Sequence, residues 1–276
     1  MSLSNLNKVN ARTKVIALIA IFSSLYAALR LVPTVPMIGA QGASFSLSDV
    51  LAPLYGILLG PFTGGFSVVI GTFVAMGFGK PVIFLGLDFL PALVNAVALG
   101  LLVRRKWLIV VALNIVLLVG FLLNPLTSIF ISVGGISFPF VWLHIAAFIV
   151  LLSPLGRKAG QWVETLKPTF LAAGISILAF VGTMMQHLTG GILTEVVRNQ
   201  IYVVLGQPPI VLTASFPITW SIVFFLYPWE RLGLIILAVV VGTPLVRALK
   251  KSLLRPEKQA FTDSKQDQKP PVTIRA

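Results

Sequence analysis

The stretch that decides the fold runs from Ser46 to Ala75 and reads SLSDVLAPLYGILLGPFTGGFSVVIGTFVA. It is apolar enough to lie in a lipid bilayer, but Gly60-Pro61 interrupts it near the middle. Proline lacks the amide donor of a continuing helix and disfavours helical backbone at the residue before it, so we predict two short helices joined by a tight bend. Glycines about four residues apart let helix backbones approach closely. Such an element is typical of a scaffold around a solute cavity.

The composition of the whole chain indicates a membrane protein. Of its 276 residues, 57% are hydrophobic and 11% are charged, whereas about a quarter of the residues in a soluble domain are charged. Apolar runs of roughly 17–21 residues recur along the chain, and each is long enough to cross about 30 Å of hydrocarbon. The sequence contains no cysteine, which excludes disulfides and thiolate chemistry.

The Lys and Arg residues lie mainly at the ends of the apolar runs. The formal charge is +13, but these residues do not share a face with interleaved aromatic residues, so nucleic acid is not an expected partner. Positive charges at the ends of apolar runs instead orient a chain in the bilayer. We predict nine apolar segments, which span residues 15–32, 48–60, 62–78, 83–103, 107–123, 139–153, 169–189, 209–226 and 232–249.

The distribution of charge selects one topology. If all nine segments cross the membrane, the 21 Lys and Arg residues divide almost evenly between the two sides. If 209–226 dips into the outer side without crossing, 17 of them lie inside and 4 outside, as the positive-inside rule demands. We therefore predict an all-α polytopic membrane protein with about eight transmembrane helices and a long outer region from about 190 to 231.

This topology places both termini in the cytoplasm. It divides the chain into a cytoplasmic N-terminal segment (1–14), a transmembrane helical domain (15–251) and a disordered basic cytoplasmic tail (252–276). The first apolar run is long for the core of a signal peptide, so we expect a retained helix, with a cleaved signal peptide as the alternative.

Motifs for catalysis are absent from the sequence. There is no GxxxxGK[ST] motif for nucleotide phosphates, and His144 and His187 lie far apart in the sequence without HExxH spacing. We therefore expect a protein that is not an enzyme and that has no metal site and no cofactor.

Polar residues inside the apolar runs mark a candidate ligand site. We place Asp88 about five residues inside the helix predicted for 83–103, with Asn95 on nearly the same face and a kink at Pro91. A buried acid is costly and faces a cavity or a partner. Asp88 thus either contacts a ligand or forms a structural ion pair. For Asn95, the alternative to ligand binding is a hydrogen bond to a neighbouring helix. The basic residues available to pair with Asp88 are Lys80, Arg30 and Arg198.

Four further side chains complete the predicted substrate site. The Pro/Gly-rich loop 33–45 contains Gln41 and Phe45, and it is either a lid over a cavity mouth or a plain connector. Gln186 and His187 lie at the outer end of the segment 169–189, where polar groups are available to a ligand.

Two acidic residues outside this set have structural interpretations. Asp49 follows Ser46 and Ser48 and is predicted to stabilise the first turn of a helix. Glu195 and Arg198 are spaced as a solvated i,i+3 ion pair.

The first helix carries a stripe of small residues, Ala20, Ser24 and Ala28. Residues of this kind at a spacing of four make a flat groove for another helix. The stripe is therefore either an internal packing face or a docking face for a separate membrane subunit.

Several of these patterns together resemble the S component of energy-coupling factor (ECF) transporters. They are the stripe, the Pro/Gly-rich outer loop, the broken pair LYGILLGPFTGGFSVVIGT at 54–72, and the end YPWERLGLIILAVVVGTPLVRALKK at 227–251 with an outer charged turn. The resemblance covers about residues 14–105 and 225–251. S components are small all-helical membrane proteins that capture a vitamin, a related micronutrient or a metal ion from outside.

The resemblance implies a function and a set of partners. The chain would be the substrate-binding subunit of an importer in the cell membrane of a prokaryote, its plasma membrane, working with a membrane-embedded T-type coupling subunit and two cytoplasmic ATPases. Family members typically have six helices, so an apolar hairpin is added here, within 107–168. The Met/His/Asp signature of the nickel and cobalt members is missing from the start MSLSNLN, which favours an organic ligand. The alternative function is an autonomous secondary transporter with Asp88 as its proton or ion site.

Overall fold

The break at Gly60-Pro61 organises the helical bundle. In the computed structural model, which describes residues 3–38, 44–206 and 216–252, Gly60 has a φ of 79° inside helix α2 (Leu51–Gly77), a conformation that glycine adopts readily. A Cβ atom on Gly64 would lie 2.6 Å from the carbonyl oxygen of Tyr55, although nine residues of straight helix span about 13 Å. The second arm of α2 therefore folds back against the first, which confirms the predicted broken pair.

The described chain is mostly helical. After α1 (Leu3–Arg30) and α2, its helices are α3 (Leu90–Val103), α4 (Trp107–Leu122), α5 (Trp142–Leu152), α6 (Pro154–Glu164), α7 (Pro168–Leu193), α8 (Tyr202–Val204) and α9 (Phe216–Ser252). A 3₁₀ turn (Leu47–Val50) precedes α2, and a π-helical segment (Thr194–Ile201) follows α7.

Two short antiparallel hairpins complete the fold. The strand β1 (Pro33–Pro36) pairs with β2 (Ser44–Ser46), and β3 (Phe130–Val133) pairs with β4 (Ile136–Pro139). The second hairpin is in regular register, with Ile131 opposite Phe138. It lies between α4 and α5, so the stretch 107–168, where the resemblance implies an added apolar hairpin, contains strands as well as helices.

The α2–α3 seam, formed by Gly56, Pro61, Ala96 and Gly100, is a closely packed contact between helices. A Cβ atom on Gly56 would lie 2.9 Å from the backbone nitrogen of Gly100 and closer still to the carbonyl oxygen of Ala96. A Cβ atom on Gly100 would lie 2.7 Å from the Cα atom of Pro61. The backbones of α2 and α3 are therefore in direct contact, as the glycine spacing predicts.

Length and apolar composition allow several helices to cross a membrane. Among the described residues, four helices qualify, namely Arg12–Arg30, Leu47–Gly77, Pro168–Ile201 and Pro217–Lys250, and the pair α5 and α6, bent by 69°, makes a fifth if it is counted as one span. The helices α3 and α4 are apolar but have only 14 and 16 residues, below the roughly 20 that a bilayer core requires. The fold is therefore that of a helical protein compatible with several membrane passes.

Three predicted segments have different boundaries in the structure. The helix predicted for 83–103 begins only at Leu90, because Pro91 occupies its first turn, where a missing N–H is tolerated. The parts of 209–226 and 232–249 that are described belong to the single helix α9, so the predicted outer charged turn at 227–231 is helical. Between the predicted segments 139–153 and 169–189 the structure adds the amphipathic helix α6.

Basic residues collect at one end of the bundle, which we call the basic end. The bend of α2 lies against Arg104 at the end of α3. The guanidinium of Arg105 is 3.9 Å from the carboxylate of Glu164 in α6, and that of Arg157 lies 4.3 Å from the ring centre of Trp107. These contacts bring the ends of α3 and α6 and the start of α4 together.

Candidate functional site

A cavity of about 130 Å³ opens at the end of the bundle opposite the basic end. It lies where α1 and α7 end and where α2 and α3 begin, beside the first half of α9, and the hairpin β1–β2 and the turns between α2 and α3 contribute to its wall. Six charged side chains line it together with four aromatic ones. The charged residues are Arg30, Asp49, Lys80, Asp88, Glu230 and Arg231, and the aromatic residues are Phe45, Phe84, Trp220 and Tyr227.

The structure brings most of the predicted substrate site together. Phe45, Asp88, Gln186 and His187 all line the cavity. Asn95 is fully buried beneath the cavity lining, and Gln41 lies outside the described residues. Contact of these side chains with a ligand stays a prediction.

A chain of side-chain hydrogen bonds runs below the cavity. The amide nitrogen of Asn95 donates to Gln186 Oε1 at 2.7 Å, and Gln186 Nε2 donates to Asp49 Oδ1 at 2.9 Å. The other oxygen of Asp49 accepts the backbone N–H of Ser46 at 3.3 Å, as the capping interpretation predicts. Asn95 therefore makes the interhelical hydrogen bond that was the alternative to ligand binding. This series of hydrogen bonds joins α3, α7 and the start of α2.

Asp88 has a different environment from the one predicted. It precedes α3 instead of lying five residues inside a helix, so it does not share a helix face with Asn95, and Pro91 does not kink a helix beside it. Its two carboxylate oxygens accept the backbone N–H groups of Ile83 at 2.9 Å and Phe84 at 3.0 Å. Among the side chains that the structure describes, none forms an ion pair with it. Asp88 thus holds the turns before α3 in place.

The sequence interpretation missed a pair of histidines. His144 Nε2 and His187 Nδ1 are 2.9 Å apart, and their rings stack with centres 5.1 Å apart. Tyr227 stacks on His187 at 4.8 Å, and its hydroxyl donates to the carbonyl oxygen of Phe140. The two histidines are 43 residues apart in the sequence, so their spacing does not show that they are neighbours. A usable signal was present, because each histidine lies in an apolar helix and needs a polar partner there.

The basic residues of the cavity differ in their partners. Arg231 is 2% exposed, donates to Glu230 Oε1 at 3.1 Å, and holds its guanidinium 5.7 Å from the ring centre of Phe45. Lys80 Nζ donates to the carbonyl oxygen of Ser44 at 3.3 Å. Burial, and then the charge of Arg30, lower the pKa of Lys80, while the carboxylate of Asp49 opposes the shift.

The solvated ion pair predicted for Glu195 is wrong. Glu195 is fully buried in the π-helical segment, and its Oε1 lies 2.5 Å from the hydroxyl oxygen of Thr127. The side chain of Arg198 lies outside the described residues. Its partner Thr127 lies in the loop after α4, 68 residues away in the sequence, so local spacing does not predict this contact.

The small-residue stripe of α1 faces outward. Ala20, Ser24 and Ala28 are exposed, and Ile21 beside them is 64% exposed. Internal packing is therefore not the role of this stripe in the described structure, and docking of a separate subunit stays a prediction. The described residues contain no cluster of three or more His, Asp or Glu placed to hold a metal ion.

Comparison with known proteins identifies no family for this chain. No protein-family model matches the sequence, and no solved structure matches it. An uncharacterised protein from Methanocaldococcus jannaschii is 28% identical over 144 residues, which cover 52% of this chain and 46% of that relative. The chain thus spans about half the length of the curated relative that it matches.

Proposed function

We propose that this chain is the membrane-embedded substrate-binding subunit of an ECF-type importer, which captures a vitamin or similar small organic micronutrient from outside. A T-type coupling subunit and two cytoplasmic ATPases would supply the energy for transport. The observation that carries this proposal is the cavity at one end of an apolar bundle, at the end opposite the basic residues.

The lining of the cavity supports a small organic ligand. Binding sites for small molecules are concave and mostly apolar, with a few convergent polar groups. Here Phe45, Trp220 and Tyr227 provide aromatic surface, while Gln186 and His187 provide hydrogen-bonding groups. A volume of about 130 Å³ is on the order of a cavity that holds one aromatic ring.

The distribution of charge supports entry from outside. The positive-inside rule assigns the basic end to the cytoplasm and the cavity to the outer side. On this proposal eight segments pass between the two ends, namely α1, the two arms of α2, α3, α4, α5, α7 and α9, and α6 lies along the cytoplasmic surface. The basic end carries Arg104, Arg105, Lys106, Arg157, Lys158 and Lys167, whereas the cavity carries Arg30, Lys80 and Arg231.

The exposed stripe of α1 supports a membrane partner. Ala20, Ser24 and Ala28 leave a flat surface that is not used for packing within the described chain, and small residues of this kind promote close contact between membrane helices. We assign this surface to the T-type subunit.

Two glycine variants test whether the cavity captures a molecule. Gly190 lines the cavity, and a Cβ atom there meets nothing within 4 Å, so Gly190→Phe fills the cavity without a backbone clash. Gly233 in α9 has the same free space but does not line the cavity, so Gly233→Phe is the matched control. We expect mass spectrometry to find one small organic compound with the wild type and Gly233→Phe but not with Gly190→Phe. Identical compounds in all three samples would overturn the proposal.

The energy source separates the importer from the alternative function. Proteoliposomes that contain this chain with its T-type subunit and ATPases should accumulate the co-purified compound only when ATP is present. Uptake by the chain alone under a proton gradient would favour the autonomous secondary transporter instead.

A further inference from the structure

The acidic side chains of the cavity already have donors within the protein. Asp88 accepts two backbone N–H groups, and Asp49 accepts the side-chain amide of Gln186 and the backbone N–H of Ser46. Glu230 accepts the guanidinium of Arg231. These carboxylates are therefore engaged in holding the cavity wall.

The basic side chains of the cavity retain unused donors. Nε of Arg30 and Nε of Arg231 are both buried, and neither has a hydrogen-bond partner within the described part of the chain. Arg30 donates Nη2 to the backbone oxygen of Asp88, and its guanidinium also interacts with the hydroxyl of Tyr26. Neither Arg30 nor Lys80 lies within 4.0 Å of a carboxylate among the described side chains. A buried donor without an acceptor costs free energy comparable to a lost hydrogen bond, so a ligand that accepts hydrogen bonds here is favoured.

The histidine pair adds a further donor. A neutral imidazole carries one N–H, and His144 Nδ1 is buried without a partner in the described structure. If His187 donated to His144, this Nδ1 would be an orphaned N–H, which is rarer in proteins than an orphaned acceptor. His144 Nε2 therefore donates to His187 Nδ1, and His187 carries its proton on Nε2. Since His187 lines the cavity, this N–H is left for a ligand.

We propose that the cavity binds a small organic anion, whose carboxylate or phosphate group accepts hydrogen bonds from Arg30, Arg231 and His187. Guanidinium groups suit both anions, because their N–H groups match two oxygens at once. The apolar body of the ligand lies against Phe45 and Trp220. This inference rests on the proposed function, since it defines the chemical class of ligand for the same cavity.

Four one-ring probes test the charge of the ligand. Purified protein in detergent is heated with benzoate, phenyl phosphate, benzamide or benzylammonium, and the melting temperature is measured for each. We expect benzoate or phenyl phosphate to raise it, and the stronger of the two identifies the anion as a carboxylate or a phosphate. Benzamide has the shape of benzoate without its charge, so equal stabilisation by both compounds would overturn the proposal, as would stabilisation by benzylammonium alone.

Three variants test the residues. Arg30→Gln and Arg231→Gln should each weaken binding of the better anion about tenfold or more, the scale of one hydrogen bond to a charged group. Arg105→Gln is the matched control, because its side chain is 70% exposed at the basic end, and it should leave binding unchanged. Arg30→Lys keeps the charge but lacks the Nε donor, so it should fold as the wild type does and still bind less tightly. Unchanged affinity in the folded fraction of Arg30→Lys and Arg231→Gln would overturn the assignment.

The two proposals fail in different ways. If the co-purified compound is neutral or cationic but is imported with ATP, the importer proposal is supported and the anion-site proposal is wrong. If the anions bind and the arginine variants weaken that binding as expected, but no ATP-driven uptake occurs with the coupling partners, the anion-site proposal is supported and the importer proposal is wrong.

Discussion

The α2–α3 seam and the cavity are built from opposite kinds of residue. In the seam, Gly56 and Gly100 bring two backbones into contact and leave no space for a side chain. In the cavity, long charged and aromatic side chains such as Arg231 and Tyr227 leave space between them. At the seam, a larger side chain can therefore be accommodated only if the two helices move apart. At the cavity, the arrangement depends instead on hydrogen bonds between side chains.

The largest effect is expected at the seam. Gly56→Ala places a methyl group against the backbone of Ala96 and Gly100, and we expect it to lower the free energy of unfolding by about 3 kcal/mol. Gly233→Ala is the control, because a methyl group there meets nothing within 4 Å. Thermal unfolding in detergent micelles, followed by circular dichroism, measures both. Equal melting temperatures would show that the seam is not tightly packed.

A smaller effect is expected from Asp88→Asn at the cavity. The substitution leaves one of the backbone N–H groups of Ile83 and Phe84 without its carboxylate acceptor, so we expect a loss of about 1–3 kcal/mol of stability. Glu164→Gln is the control, because the side chain of Glu164 is 47% exposed and its ion pair with Arg105 is long, at 3.9 Å. The contrary outcome is weaker ligand binding with unchanged melting, which would return Asp88 to the set of ligand contacts.

The histidine pair should contribute less than Asp88. His144→Leu removes one partner of a buried hydrogen bond and should cost about 1 kcal/mol. In the double variant His144→Leu/His187→Leu both polar partners are gone, so the total loss should be smaller than the sum of the two single losses by about 0.5 kcal/mol or more. If the loss of stability in the double variant equals the sum of the two single losses, the two histidines do not interact.

The smallest effect on stability is expected on the surface of α1. Ser24 is exposed, so Ser24→Leu should change the free energy of unfolding of the isolated chain by no more than about 0.5 kcal/mol. On the proposed function, the same variant should also abolish co-purification with the T-type subunit, because a large side chain prevents close helix contact. A clear loss of stability in the isolated chain would instead indicate a packing role for the stripe.

The parts of the fold that are set by residues close together in the sequence could be predicted from it. The bend at Gly60 and the seam at Gly56 follow from local spacing, because proline and glycine act on their own backbone. The start of α3 was misplaced, since an apolar run continues through turns that end at Asp88. The continuity of α9 through Pro228 was missed as well, because neighbouring groups in a bundle can satisfy the backbone that a proline frees.

The cavity was only partly predictable. Asp88 was predicted from its place in an apolar run, and Gln186 and His187 from their position at the outer end of the segment 169–189, since a polar residue there needs a reason. The partners of these residues come from elements distant in sequence, as Asn95 and Gln186 show with a separation of 91 residues. The sequence indicates Arg30 only as an ion-pair partner for Asp88, because its place in the cavity wall depends on where α1 ends.

The unequal lengths of the helices have a consequence for the surrounding lipid. Helix α3 has 14 residues and is about 21 Å long, whereas the 37 residues of α9 extend over about 55 Å. If the basic end lies at the inner boundary of about 30 Å of hydrocarbon, α3 begins about 9 Å below the outer boundary. Since Pro91 and Ala92 line the cavity, its floor then lies at that depth. On the proposed function, a molecule bound there would lie below the lipid surface, with about two thirds of the hydrocarbon between it and the cytoplasm, and α9 would tilt to bury its greater length.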